Sequence, residues 1–165
     1  MQSNLRSRFS YLILVLLILV TDRITKSAIV FRFDLGQPVS VIDGLFNITY
    51  VQNTGVAFGI LSAFSSPVKI LFLSLVAAIA AVVVIVYSLR NDPHNKLLQG
   101  ALALVLAGAL GNLYDRVRYG YVIDFLEFHA RGYYWPSFNI ADTSISIGVM
   151  LLVWEMFRNE APNRA

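Results

Sequence analysis

Four long apolar segments, separated by polar connections, dominate the hydrophobic pattern of the chain. A helix crosses the hydrocarbon core of a bilayer with about 20 predominantly apolar residues. Four segments come near that length, and they run roughly over residues 9–33, 68–89, 97–117 and 140–157. The pattern therefore predicts an all-α membrane protein in which residues 1–165 form a single integral membrane domain with four transmembrane helices.

The connection over residues 34–66 has the composition of a β-hairpin. Residues 39–42 and 45–51 are rich in β-branched and aromatic side chains, and the dipeptide Asp-Gly separates them at residues 43–44. Asp-Gly between such runs is a strong short-range hairpin signal. Further along the same loop, the Gly-Val-Ala-Phe-Gly sequence of residues 55–59 indicates a turn or a short loop helix.

The second long connection, residues 118–139, contains another short β-like run at residues 119–125, around Gly120. With the hairpin of the first loop, this run predicts a small extracytoplasmic β-sheet that rests on the outer membrane surface. No internal repeat or second domain is expected.

Composition agrees with a membrane protein. The chain is 57% hydrophobic and 14% charged, and its mean hydropathy is +0.65. A soluble domain of this size has no core large enough to hide that much apolar sequence. The net charge of +3 is spread between apolar runs and forms no stripe or tail, so nucleic-acid binding is not expected. Because there is no cysteine, disulfides, thiolate nucleophiles and cysteine-ligated metals are excluded.

Lysine and arginine residues predict the orientation. Four crossings put both termini on the same side, and the positive-inside rule places the more basic connections in the cytoplasm. The basic residues on that side are Arg6, Arg8, Arg90, Lys96, Arg158 and Arg164, against Arg32, Arg118 and Arg131 on the other. We expect cytoplasmic termini. Residues 21–26 contain no small-x-small cleavage site, so the first apolar segment is interpreted as an uncleaved anchor.

Two aspartates near the predicted outer boundary carry the first candidate chemistry. Asp124 follows the third apolar segment, and Asp142 lies at the start of the fourth. Two carboxyl groups at close range cannot both ionise easily, so such a pair shares a proton. The charged member can take a proton from water while the neutral one protonates a leaving amine, which is peptide hydrolysis without a metal. Alternatively, Asp142 caps the fourth helix and Asp124 faces solvent.

Amide and guanidinium groups surround these acids in the sequence. Asn112 and Arg116 are four residues apart and share one face of the third helix. With Asn139, they could hold a substrate carbonyl and stabilise its developing charge. The alternative is a polar cluster that ties helix ends together, with Arg116 paired to Asp115 or to a lipid phosphate. Asn53 fits either a turn or a substrate-facing amide.

Asp22 and Lys26 are also four apart, in the outer half of the first apolar segment. An acid and a base at this spacing neutralise one another and lower the cost of burial. We interpret them as a structural pair beside the site and expect Arg23 to extend outward. The two histidines lie in opposite loops, so no metal site and no cofactor are expected.

At these residues the sequence resembles one known family, the lipoprotein signal peptidases, also called signal peptidase II. Any one of the shared motifs is weak, but five in the family's order and spacing are highly specific. The motifs are Asp22-x-x-x-Lys26, Asn53-Thr54-Gly55-Val56-Ala57-Phe58-Gly59, Gly111-Asn112-Leu113-Tyr114-Asp115-Arg116, Val122-Ile123-Asp124-Phe125 and Phe138-Asn139-Ile140-Ala141-Asp142. Residues 127–135 match no motif.

The resemblance implies roles for these residues. Asp124 and Asp142 would be the catalytic aspartates. The residues lining the substrate site would be Asn53, Asn112, Arg116 and Asn139, supported by Asp22, Lys26 and Asp115. The family removes the signal peptide of bacterial prolipoproteins just before a cysteine that carries diacylglycerol. It works in the cytoplasmic membrane with its site near the outer leaflet, and the cyclic peptide globomycin inhibits it. We expect a monomer surrounded by membrane lipids.

Two other functions fit the composition. A small proton-coupled transporter would use the acids as a relay, which requires polar groups through the membrane's full depth. Most polar residues here cluster at one depth instead, which favours an enzyme. A non-catalytic membrane scaffold would leave the two acids without a purpose.

Overall fold

The computed structural model describes residues 2–55 and 67–160. Within these residues, four helices and four strands follow one another. They are α1 (Gln2–Arg32), β1 (Val39–Ile42), β2 (Phe46–Asn53), α2 (Pro67–Arg90), α3 (Lys96–Tyr119), β3 (Val122–Ala130), β4 (Tyr133–Tyr134) and α4 (Ile140–Glu160). Each predicted apolar segment lies within or largely within one helix.

Three of the described helices are long and apolar enough to cross a membrane, which indicates a multi-pass membrane protein. They are α2, α3 and α4, with mean hydropathies of 3.0, 1.6 and 1.5 over their most apolar windows. The sequence predicted four spans. The remaining helix, α1, has 31 residues but carries Asp22, Arg23 and Lys26 within its outer half, and these charges interrupt its apolar run.

α3 is the central helix, and it packs against each of the other three. Its contact with α4 depends on glycines, because a Cβ at Gly108 would collide with the Ala141 carbonyl oxygen and one at Gly148 would lie 2.8 Å from the Ala101 carbonyl oxygen. Small residues let two helix backbones approach this closely. The close approach brings the end of α3 against the start of α4, where the polar residues cluster.

The end of α3 differs from the sequence prediction. Gly120 adopts a left-handed conformation (φ 79°), and its N–H donates to the Arg116 carbonyl oxygen at 3.0 Å. This is a common way for a helix to end, because glycine has no Cβ to oppose a positive φ. The predicted β-run at residues 119–125 was therefore placed too early: Tyr119 still belongs to α3, and the strand begins at Val122.

The strands form one antiparallel sheet in the order β1-β2-β3-β4. The predicted hairpin is confirmed, since Gly44 takes a positive φ of 74° between β1 and β2. β2 pairs with β3 in a register that places Val51 opposite Asp124 and Asn53 opposite Val122. The proposed turn or short helix at residues 55–59 lies, beyond Gly55, outside the described residues.

A small apolar cluster fastens the sheet to the helices. Ile29 at the end of α1 packs with Tyr50 of β2 and with Ile123 and Phe125 of β3, and all four are buried. Because Asp124 lies between Ile123 and Phe125, this packing also fixes the position of Asp124 relative to the helix ends.

Candidate active site

Asp124 and Asp142 open onto the same cavity. Asp124 is the third residue of β3, and Asp142 is the third residue of α4. The cavity has a volume of about 700 Å³ and lies between α2, α3, α4 and residues 135–138. Asn53, Asn112 and Arg116 also line it. The structure therefore brings together two acids that are 18 residues apart in the sequence.

Asp124 is held by two asparagine side chains. It is 2% exposed. Its Oδ1 accepts a hydrogen bond from Asn139 Nδ2 at 2.7 Å, and its Oδ2 accepts one from Asn53 Nδ2 at 2.8 Å. Asn53 is oriented in turn by the Gly55 N–H, which donates to its Oδ1 at 2.8 Å. Asn53 thus takes part in the turn, and its amide also holds Asp124 and lines the cavity. The solvent-facing alternative for Asp124 is wrong.

Burial and, to a smaller extent, the charge of Asp142 raise the pKa of Asp124 to about 7. The hydrogen bonds from Asn53 and Asn139 oppose the shift because they stabilise the carboxylate. A carboxyl group with a pKa near neutrality can both hold and release a proton at physiological pH.

Asp142 takes part in the cap of α4 while its carboxylate faces the cavity. Its Oδ2 accepts from the Asn139 backbone N–H at 3.2 Å, and its own N–H donates to Asn139 Oδ1 at 2.9 Å. This reciprocal arrangement is a capping box with Asn139 as N-cap. The other carboxylate oxygen, Oδ1, accepts from Asn112 Nδ2 at 2.7 Å. The capping alternative for Asp142 is therefore correct in geometry and compatible with a place in the site.

Lys26 lies at the centre of a buried charge cluster behind this site. Its ammonium group contacts Asp22 Oδ2 at 2.8 Å, Asp115 Oδ2 at 2.9 Å and Asn112 Oδ1 at 3.1 Å, and its side chain is fully buried. Asp22 also accepts the Ala141 N–H at 3.0 Å, which anchors the start of α4 to α1. The predicted Asp22–Lys26 pair is present, and Asp115 joins it as a second acid.

Arg23 does not extend outward as the sequence suggested. Its guanidinium pairs with Asp115, which also accepts the Ile123 N–H at 3.3 Å. The guanidinium carbon lies 4.8 Å from the centre of the Tyr114 ring and 5.8 Å from that of Tyr119. Attraction to a buried carboxylate and to two aromatic faces outweighs hydration of this cation.

Arg116 and Asn139 occupy different positions relative to the cavity. Arg116 lines it, and its guanidinium donates to the Asn112 carbonyl oxygen at 3.5 Å. Its proposed pairing with Asp115 is absent among the described residues, because Asp115 faces α1. Asn139 is fully buried behind both acids, so it holds their carboxylates without lining the cavity.

Sequence reasoning missed much of the cavity wall. Trp135, Pro136 and Ser137 line one side, although residues 127–135 match no motif. The opposite walls are mostly apolar side chains that no pattern distinguishes from lipid-facing ones. They are Leu73, Val76, Ala77 and Ala80 of α2, Val105 and Ala109 of α3, and Ile145, Ser146, Ile147 and Met150 of α4.

The comparisons with known proteins agree on one family. A family model described as signal peptidase (SPase) II matches residues 14–158. The chain is 46% identical over 150 residues to the lipoprotein signal peptidase of Syntrophus aciditrophicus, covering 91% of this chain and 93% of that one. It is 49% identical over 142 residues to that of Geobacter sulfurreducens, covering 86% and 88%.

The fold is also similar to that of a solved bacterial membrane enzyme, determined by the in meso method. The TM-score is 0.85 at 32% identity, over 94% of this chain and 92% of that one. A second such structure gives a TM-score of 0.80 at 31% identity. The chain therefore belongs to the signal peptidase II family and is a lipoprotein-processing protease of the aspartic type.

Proposed function

We propose that the chain removes the signal peptide from diacylglyceryl-modified bacterial prolipoproteins, cutting the peptide bond just before the lipidated cysteine. Asp124 and Asp142 are the catalytic residues. The observation that carries this proposal is that both carboxyl groups open onto one cavity while all four of their oxygens accept N–H groups. Two acids held at fixed positions over shared space can act on one water molecule and one peptide bond.

The reaction needs one proton on the pair. The ionised aspartate takes a proton from water as the water oxygen attacks the peptide carbonyl carbon, and the protonated aspartate supplies a proton to the departing amine nitrogen. The carbon–nitrogen bond breaks, and the pair again holds one proton. Arg116 lines the cavity, where its guanidinium can bind the substrate carbonyl and stabilise the negative charge that develops on it. Asn53 and Asn112 border the substrate, while Asn139 positions both acids from behind.

The shape of the cavity suits a peptide attached to lipid. Its wall beyond the aspartates consists mostly of apolar side chains from α2 and α4. A signal-peptide helix can lie against these side chains, with its scissile bond beside the polar groups at one end. Trp135 is 58% exposed at the edge of the cavity. Tryptophan at this position suits the membrane–water interface, where the diacylglycerol of the substrate would lie.

We infer a four-span topology in which α1 also crosses the bilayer. Asp22, Arg23 and Lys26 of α1 need not face lipid, because Asp22 and Lys26 pair with each other and Arg23 pairs with Asp115. Both termini are then cytoplasmic in the bacterial inner membrane, and the active site lies near the outer leaflet. A Ser40→Cys variant, in the exposed β1, would be labelled by a membrane-impermeant thiol reagent only from outside the cell. Labelling from the cytoplasmic side alone would contradict this orientation.

A proton-coupled transporter is not favoured. α2 carries Lys69 and Ser74 near one end and then twelve consecutive apolar residues, 75–86. The acids Asp22, Asp115, Asp124 and Asp142 meet at one end of the bundle, and the described residues build no continuous polar path through it.

Cleavage by purified protein tests the proposed function. The protein in detergent is given a diacylglyceryl prolipoprotein, beside Asp124→Asn, Asp142→Asn and the control Asp43→Asn. Asp43 lies in the exposed hairpin turn, where Asn-Gly is as favourable as Asp-Gly. Each site variant should lose about 10²- to 10⁴-fold in kcat, the range for loss of general acid–base catalysis, while the control keeps the parent rate. Full activity in folded Asp142→Asn would reject the mechanism.

Binding of globomycin and a monomeric mass are further expectations, checked with the same preparation.

A further inference from the structure

The orientation of the Asn112 side chain is set by a neighbour that can only donate. A carboxamide can turn either its oxygen or its nitrogen toward a partner, and the partners on its two sides decide which. Lys26 has three ammonium hydrogens and no acceptor, and its three contacts are Asp22, Asp115 and Asn112 Oδ1. Because the oxygen of Asn112 must face Lys26, its nitrogen faces Asp142 Oδ1, at 2.7 Å.

We propose that Lys26 is a positioning residue of the proposed reaction, acting through Asn112. Its ammonium group fixes the Asn112 carboxamide as a hydrogen-bond donor to Asp142 and thereby keeps Asp142 in the form that accepts hydrogen bonds, the carboxylate. This inference rests on the proposed function and adds a division of labour within the aspartate pair. Asp142 is the general base that takes the proton from water, and Asp124 is the general acid.

The charges around the two acids agree with that division. Asp142 receives a hydrogen bond from Asn112, an amide whose oxygen contacts the Lys26 ammonium group. Asp124 is held instead by Asn53 and Asn139, whose side-chain oxygens accept backbone N–H groups. Asn139 also donates to Asn112 Oδ1 at 3.3 Å, so Lys26 is one amide further from Asp124 than from Asp142. A cation behind one hydrogen-bond donor stabilises the ionised form of the acid it faces more than a neutral chain does. The proton of the pair therefore resides on Asp124.

A double-mutant cycle tests whether Lys26 acts through Asn112. The variants are Lys26→Met, Asn112→Ala and their combination, assayed in detergent with a diacylglyceryl prolipoprotein for kcat and KM separately. Lys26→Met should lower kcat by about 10²-fold, within the range for general acid–base groups, with KM within about threefold of the parent value. The combination should be no slower than Asn112→Ala alone, because Lys26 has nothing to orient once the amide is gone.

The control is Lys96→Met, the same substitution at an exposed lysine that begins α3 at the opposite end of the helix. It should keep the parent kcat. Losses in the Lys26 and Asn112 single variants that multiply in the combination would overturn the proposal, as would a Lys26→Met variant whose kcat equals that of the parent.

Removing Lys26 alone leaves two buried acids beside one cation, so a charge-balanced variant guards against misfolding. Asp22→Asn/Lys26→Met removes one charge of each sign and leaves Asp115 paired with Arg23. It should lose kcat by more than Asp22→Asn alone and should show the same non-additivity with Asn112→Ala. Equal kcat in Asp22→Asn and in the charge-balanced variant would contradict the role of Lys26. If the parent itself leaves the prolipoprotein uncut, the proposed function fails; if the parent cuts and the losses multiply, only this inference fails.

Discussion

Two groups of buried acids lie side by side in this protein and are neutralised in different ways. In the first, Asp22 and Asp115 contact the cations of Lys26 and Arg23. In the second, Asp124 and Asp142 receive all of their hydrogen bonds from amide N–H groups. The first group is electrically neutral when all four of its members are charged. The second group has no cation in hydrogen-bonding contact with it among the described residues.

The two groups of acids therefore suit different roles, one structural and one in proton transfer. An acid paired with a cation has its charge balanced locally, and its role here is to join elements of the fold: Asp22 reaches the start of α4 and Asp115 reaches β3. An acid held by neutral donors has a proton affinity that burial and a like-charged neighbour can raise, as happens at Asp124. Within the part of the chain that the structure describes, Asn112 is the side chain that hydrogen-bonds to both groups, because it contacts Lys26 on one side and Asp142 on the other.

The two groups of acids should differ most in how much a single substitution lowers the free energy of unfolding. Asp115→Asn removes the acid shared by Lys26 and Arg23 and leaves two cations facing Asp22 alone. Breaking a buried ion pair by removing one partner costs about 3–5 kcal/mol. Asp124→Asn should cost about 1 kcal/mol or less at pH 7, because it replaces an acid whose ionised form is already disfavoured by burial. Denaturant unfolding in mixed micelles measures both. Equal losses of stability in the two variants would contradict the distinction between acids paired with cations and acids held by amides.

The second difference is in the pH dependence of stability. The pKa of Asp124 is about 7 in the folded protein, against about 3.9 for an aspartate in an unfolded chain. Between these values the folded protein keeps a proton that the unfolded chain has released. The stabilisation is therefore complete below about pH 4 and is lost as the pH rises through 7. Asp124→Asn should flatten this slope, which amounts to a few kcal/mol at about 1.4 kcal/mol per pKa unit.

Unfolding measured at pH 5 and pH 8 checks this slope in parent, Asp124→Asn and Asp43→Asn. The last variant controls for one carboxylate fewer and should behave as the parent does. If the pH dependence of stability in Asp124→Asn equals that of the parent, a group other than Asp124 is responsible for it.

Local patterns in the sequence were sufficient for the helices and the hairpin. Apolar length predicted the helices, and Asp-Gly between β-branched runs predicted the turn at Gly44. The end of α3 was placed less well, because Tyr119 and Tyr121 suit a strand by composition and only Gly120 reveals the break. The charges of α1 could be read as a pair from their spacing, but the second acid, Asp115, is 89 residues beyond Lys26 and no local pattern joins them.

The sequence named the residues of the candidate site, but it could not give their arrangement. Spacing alone left Asp142 as either a cap or a reactive group, and the structure shows that capping leaves one of its carboxylate oxygens facing Asn112. Which amide holds which acid depends on the register of β2 against β3 and on the close contact at Gly108. Both are tertiary features. The cavity wall at Trp135 comes from a segment whose sequence carries no recognisable pattern.

The smallest predicted difference lies within the aspartate pair. Asn53 donates to Asp124 and Asn112 donates to Asp142, at 2.8 and 2.7 Å. Both bonds stabilise carboxylates, so each matters to the rate only if its acid must be ionised for the reaction. If Asp124 carries the proton, Asn53→Ala should lower kcat by about tenfold or less, the effect of one hydrogen bond worth about 1 kcal/mol. Asn112→Ala should lower kcat by about 10²-fold, as loss of an oriented general base does.

Initial rates with one diacylglyceryl prolipoprotein compare the two variants directly. Gln52→Ala is the matched control, because Gln52 is the exposed neighbour of Asn53 on β2 and donates to the Tyr50 hydroxyl at 2.9 Å, away from the acids. It should keep the parent rate. A larger loss for Asn53→Ala than for Asn112→Ala would exchange the roles, making Asp124 the base and Asp142 the acid. The rank of two alanine variants thus decides which of two adjacent carboxyl groups holds the proton, since each amide stabilises the ionised form of one acid only.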